Sequence, residues 1–148
     1  MEYKYPTAGL SRYIWAIKPE FLETLQKSLE ANISISSQEL ALSRQGNKKS
    51  ASGIGVIDIF GIISNHSDIF EWFGLGTSLD TIGEGLNLFV NDASIGTIIL
   101  NVDSPGGTVD GITEMSAKIF AARKKKNIIA VANSMATSAA YWLASSAS

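Results

Sequence analysis

Cysteine is absent from this 148-residue chain, and histidine occurs once, at His66. The first absence excludes disulfides, thiolate metal sites and a cysteine nucleophile. The second excludes a multi-histidine metal centre. No apolar run approaches the roughly 18 residues that a membrane span requires. The opening "MEYKYPTAGLSRYIW" lacks the basic-then-apolar pattern of a signal peptide. A net charge of −2 offers no global field to recruit nucleic acid or an anionic membrane. A soluble cytoplasmic protein without a nucleic-acid partner is therefore the default expectation.

What is present fits an ordinary globular chain. Hydrophobic residues make up 45% and charged residues 18%, and the length suffices for one domain at most. In "KPEFLETLQKSLEANI" (18–33), Phe21, Leu22, Leu25, Leu29 and Ile33 recur at helical spacing behind Pro19, which predicts an amphipathic helix. The polar stretch 34–53 reads as a linker or mobile loop. "IGVIDIFGIIS" (54–64) is β-branched and aromatic, broken by Gly61, and reads as one bent strand or two short ones. In the loop that follows, Ile69, Phe70, Trp72, Phe73 and Leu75 are too apolar for solvent, which suggests a subunit interface or a substrate groove.

From Ser78, a plausible N-cap, residues Leu79, Ile82, Leu86, Phe89 and Val90 share one helical face. "IGTIILNV" (95–102) and "NIIAVAN" (127–133) read as strands buried on both faces. Between them Ile112, Met115, Ile119 and Phe120 form a second helical stripe. It ends in "RKKK" (123–126), read as a solvated helix C-terminus whose charge suits the dipole. A helix is expected from Ser134. Alternating strands and helices argue an α/β fold with a mainly parallel sheet.

In such folds the loops beyond the C-terminal strand ends carry chemistry. Two have unusual composition. In "LNVDSPGGTVDG" (100–111) a buried strand meets Ser104-Pro105-Gly106-Gly107. That tetrapeptide is either a plain turn or a device that frees backbone amides to face an oxyanion, with a helix N-terminus behind it. One well-placed donor of that kind lowers a barrier by roughly 3–4 kcal/mol. In "SMATSAAYWLASSAS" (134–148), Ser138 lies among small residues at a helix start, where a substrate backbone could approach and the Ala139 amide could hold negative charge. Alternatively Ser134, Thr137 and Ser138 are caps and the alanines permit close packing. Ser134 fits the cap better; for Ser138 both readings stand.

Together, "TIILNVDSPGGTVDG" and "IIAVANSMATSAAYWLASSA" resemble the core of the S49 peptidases, the signal-peptide-peptidase A family within the Clp-protease/crotonase superfamily. They are most similar to its branch of phage head-maturation proteases of the lambda type. The resemblance runs from about Lys18 to the end and is strongest over 95–147. It implies a Clp/crotonase-like spiral of repeated β-β-α units with a mainly parallel sheet, incomplete at its C-terminal end. By position it implies that Ser138 is the nucleophile. Gly106 and Gly107 would form the turn that contributes one oxyanion amide, and Ala139 would supply the second. Many members carry Ser-Gly-Gly or Ser-Ala-Gly where this chain has Ser138-Ala139-Ala140; the extra methyl tightens the site without removing an amide.

A serine hydroxyl needs a proton acceptor. In the S49 family that acceptor is a lysine well downstream of the serine, and in Clp relatives a histidine, in both cases beyond Ser148. A triad of His66 and Asp68 with Ser138 is conceivable, though a solvated loop histidine is the simpler reading. The resemblance thus implies a lead and linker over 1–53 and the first part of a peptidase domain over 54–148, inactive alone, with Tyr141, Trp142 and Leu143 left to water or a partner. The implied activity is serine endopeptidase cleavage of capsid or scaffold polypeptides, in a homo-oligomer, without metal or cofactor. The alternatives are a crotonase-like acyl-CoA enzyme, which needs no nucleophilic serine, and a non-catalytic assembly module.

Overall fold

The computed structural model describes residues 15–17, 47–50, 52–66 and 75–148. Over these the chain forms β1 (Trp15–Ile17), β2 (Lys48–Lys49), β3 (Ile54–Ser64), β4 (Gly76–Ser78), α1 (Leu79–Asn91), β5 (Thr97–Thr108), α2 (Ile112–Ala122), β6 (Asn127–Ala136) and α3 (Ala139–Ala144). The helix expected over 18–33, most of the linker, and the aromatic residues 69–73 lie outside the described residues.

β5 is the organising strand of a six-stranded sheet. It runs parallel to β3 on one side and to β6 on the other, and its last residues also pair antiparallel with β1. β3 takes β4 in parallel at its C-terminal end and β2 antiparallel at its N-terminal end. The fold is thus mixed α/β with a mostly parallel sheet. Two pieces of the expected lead and linker, β1 and β2, are strands of this same sheet.

Alternation along the strands decides where the core lies. Ile57 and Ile59 of β3, Ile98, Leu100 and Val102 of β5, and Ile128 of β6 are fully buried on the face that the helices cover. Burying each such side chain contributes roughly 1.5–3 kcal/mol. The opposite face carries Asp58, Ile99, Asn101, Ile129, Val131 and Asn133 and is covered only in part. This corrects the expectation of strands buried on both faces: β5 alternates buried with half-buried positions. In β6 Ile129 is 41% and Val131 43% exposed. Among the described residues β6 pairs only with β5, so its apolar run is not evidence of double burial.

α1 follows the sequence reading closely. The Ser78 hydroxyl accepts the Thr81 amide at 3.1 Å, capping the helix, and Leu79, Ile82, Leu86 and Phe89 turn inward. α2 departs at one position. Ile112, Met115, Ile119 and Ala122 are buried, but Phe120 is 58% exposed and lies under the Arg123 guanidinium at 4.7 Å. Phe120 sits about 100° round the helix from Ile119, off the buried stripe. The basic cluster also divides. Lys126 is not simply solvated: its Nζ donates to the Asp92 and Ile95 carbonyls at 2.9 and 2.6 Å, closing the α1–β5 connection.

At the far end, β6 continues through Ser134 to Ala136, so Ser134 is a strand residue and caps nothing. α3 begins only at Ala139, with Ser138 in the N-cap position. Tyr141 and Trp142 are exposed as expected, whereas Leu143 is fully buried in the core.

Candidate active site

The glycine stretch is not a turn. Ser104, Pro105, Gly106 and Gly107 are all buried residues of β5, which continues to Thr108. Gly106 and Gly107 face Ile62 and Ile63 of β3 on one side and Ile17 and Ala16 of β1 on the other. The strand survives a Pro-Gly-Gly sequence because these long-range partners hold it extended from both sides.

It survives with a defect, however. Gly61 of β3 stands opposite both Ser104 and Pro105, and Asp103 stands opposite Asn133, Ser134 and Met135 of β6. Such bulges bend strands and re-aim side chains, and they are common beside active sites. At the β5 bulge several backbone groups of β3 take partners outside the β3–β5 ladder. The Thr77 hydroxyl accepts the Phe60 amide and donates to the Phe60 carbonyl, both at 3.0 Å. Ile62 donates to the Leu75 carbonyl at 3.0 Å, and the Ser104 hydroxyl donates to the Gly61 carbonyl at 2.5 Å. Beside the bulges, on the sheet face away from the helices, Gly61, Asp103, Pro105 and Met135 border a cleft of about 320 Å³. Its polar floor is a cross-strand chain. Lys48 Nζ lies 3.1 Å from Asp58 Oδ2, and Asn101 donates to Asp58 Oδ1 at 2.8 Å.

Past the bulge in β6 the chain makes its sharpest departure from regular geometry. Ser138 has φ 55° and ψ −120°, the only non-glycine residue with positive φ among those described. Holding a residue with a Cβ in such a region costs on the order of 1–3 kcal/mol. Ser138 is exposed, and its hydroxyl makes no capping hydrogen bond. Its carbonyl accepts the Trp142 amide at 3.0 Å, so the helix starts directly behind it. The result is a strand, a strained serine and a helix in immediate succession.

Gly106 lies against this turn. Its φ is +102°, and a Cβ there would fall on the Ala16 carbonyl oxygen while reaching within 3.1 Å of Ser138 Cβ and 3.2 Å of the Ala139 nitrogen. The glycine is required twice, by its backbone angle and by the closeness of the Ala16 carbonyl. Gly107 is required by packing alone, since a Cβ would overlap the Ile63 carbonyl and come within 2.6 Å of the Ile63 nitrogen. Of the sequence candidates, Gly106 thus lies against Ser138 and Ala139, while Gly107, next to it in β5, packs on Ile63. Their amides are not equivalent: the Gly106 N–H already donates to the Ser104 hydroxyl at 3.1 Å. The Ala139 N–H, at the first position of α3, has no intrahelical acceptor.

His66 does not join this group. Its Nδ1 is 3.1 Å from Asp80 Oδ2, both side chains are largely exposed, and the pair borders a separate cleft between α1 and α2. Asp68 lies outside the described residues. Lys48, Lys49 and Lys126 are engaged with Asp58, Asp92 and two carbonyls respectively. Sequence reasoning missed Gly61 and Thr77 as supports of the site and took Ser104 only as part of the glycine tetrapeptide. The one local signal was Gly61 interrupting an apolar strand.

No protein-family model matches the chain. It is similar to two phage proteins. It is 31% identical over 97 residues to the head-tail preconnector protein of Enterobacteria phage P21, covering 66% of this chain and 19% of that protein. It is 28% identical over 140 residues to capsid assembly protease C of Escherichia phage lambda, covering 95% of this chain and 31% of that protein. The chain thus spans about a fifth and about a third of the relatives it matches.

Proposed function

We propose that this chain carries the nucleophile and oxyanion elements of an S49-type serine peptidase of the Clp/crotonase superfamily, acting in phage head assembly. The observation that carries the reading is the backbone of Ser138. A serine held at positive φ between a strand and a helix, free of any capping bond and pressed against a glycine of the neighbouring strand, is the arrangement of a nucleophile elbow. Strain of this kind is retained where the reacting atom must project from the surface. The similarity to a phage capsid assembly protease supports a peptidase acting on capsid or scaffold polypeptides.

In this mechanism Ser138 Oγ attacks the peptide carbonyl carbon as its proton passes to a base outside the described residues. The new carbonyl oxyanion is held by the Ala139 amide and by an amide of the Gly106–Gly107 pair. The C–N bond then breaks, the leaving amine takes the proton, and water hydrolyses the acyl-serine. No cofactor takes part. A crotonase-like reaction would use the oxyanion donors but would leave the strain at Ser138 without purpose.

The test is acylation of Ser138 by a fluorophosphonate probe in the full-length protein, with the labelled peptide identified by mass spectrometry. Labelling at Ser138, lost in Ser138→Ala with the fold retained, is the expected result. Labelling at another serine, or none, overturns the reading.

A further inference from the structure

We propose that Ser104 is the positioning residue that sets the spacing between the glycine pair and Ser138, an inference that rests on Ser138 being the nucleophile. Ser104 is fully buried at the β5 bulge, and its three contacts lead in three directions. Its hydroxyl donates to the Gly61 carbonyl of β3 at 2.5 Å. The same oxygen accepts the Gly106 amide at 3.1 Å. Its backbone carbonyl accepts the amide of Thr137, the residue directly before Ser138, at 3.2 Å.

One residue therefore ties Gly61 of β3, the glycine pair and the serine turn together. The hydroxyl serves as donor and acceptor at once, a combination that alanine cannot supply. The Ser104 hydroxyl thus fixes the orientation of the Gly106 amide where Gly106 lies against Ser138 and Ala139. Losing the hydroxyl frees the Gly106 peptide to rotate beside Ser138, and a displacement of roughly 1 Å in a site of this kind costs about 100-fold in rate.

The experiment compares the full-length protein with Ser104→Ala and Ser104→Thr, reading fluorophosphonate labelling of Ser138, kcat and KM on a peptide substrate, and hydrogen exchange at the Gly106 amide. Ser104→Ala is expected to slow labelling and kcat by about 100-fold with KM little changed, and to speed exchange at Gly106. Ser104→Thr, which keeps the hydroxyl, is expected to restore most of the rate. Should Ser104→Ala fail to fold, exchange in the unsubstituted protein still decides: a Gly106 amide that exchanges as freely as a surface amide overturns the proposal. Full-rate labelling of a folded Ser104→Ala overturns it alone. No labelling in the unsubstituted protein overturns the nucleophile reading and this inference with it.

Discussion

Replacing Ser138 with glycine should stabilise the protein while abolishing its chemistry. At φ 55° and ψ −120° any residue with a Cβ carries strain of about 1–3 kcal/mol. Glycine has none there, but its greater freedom in the unfolded chain costs about 0.5–1 kcal/mol relative to alanine. The serine hydroxyl makes no capping bond, so its removal subtracts nothing further. Ser138→Ala keeps the strain and is the proper reference. Ser138→Gly should exceed it by about 0.5–2 kcal/mol, which for a chain of this size raises the melting temperature by about 2–8 °C. Paired thermal melts of the two variants by circular dichroism make the measurement, and fluorophosphonate labelling confirms that both are inert. If Ser138→Gly melts at or below Ser138→Ala, the backbone at 138 is not strained, and the principal support for a nucleophile elbow is gone.

Gly107→Ala should act on folding rather than on turnover, because its methyl overlaps the Ile63 backbone; normal solubility and melting with reduced kcat would contradict this. His66→Ala should leave Ser138 labelling unchanged, since the imidazole pairs with Asp80; loss of labelling would make His66 the base. Lys126→Met removes the donor to the Asp92 and Ile95 carbonyls and should destabilise by about 1–3 kcal/mol in urea unfolding; an unchanged midpoint would show the cluster to be merely solvated. The Lys49 ammonium and Ser94 donors hold the Asp92 carboxyl well below the usual carboxylate range. A carboxylate with a depressed folded pKa adds stability above its unfolded value, about 3.9, which is lost as pH falls through the folded value. The unsubstituted protein should therefore exceed Asp92→Asn in stability at neutral pH, and the gap should close only under strong acid. A pH-independent difference would refute the linkage.

Much of what depended on neighbours along the chain was legible in the residues themselves. α1 is written in the Ser78 cap and in Leu79, Ile82, Leu86 and Phe89, because a cap and a periodic face are local properties. The strand–helix alternation over 54–144, and hence the α/β class, follows from the same kind of signal. Tertiary structure decided what depends on pairing at a distance. Pro105-Gly106-Gly107 reads as a turn in isolation. It is a strand because β1 and β3, about 90 and 45 residues earlier, hold it from both sides. Likewise "NIIAVAN" reads as a doubly buried strand but lies beside a single described partner, and apolar composition cannot say how many neighbours a strand has. The position of Ser138 against Gly106 joins two such distant segments. The left-handed backbone that lifts the serine out of the fold follows from where β6 must stop and α3 must start. No serine codes for that conformation; it is imposed by the packing on either side.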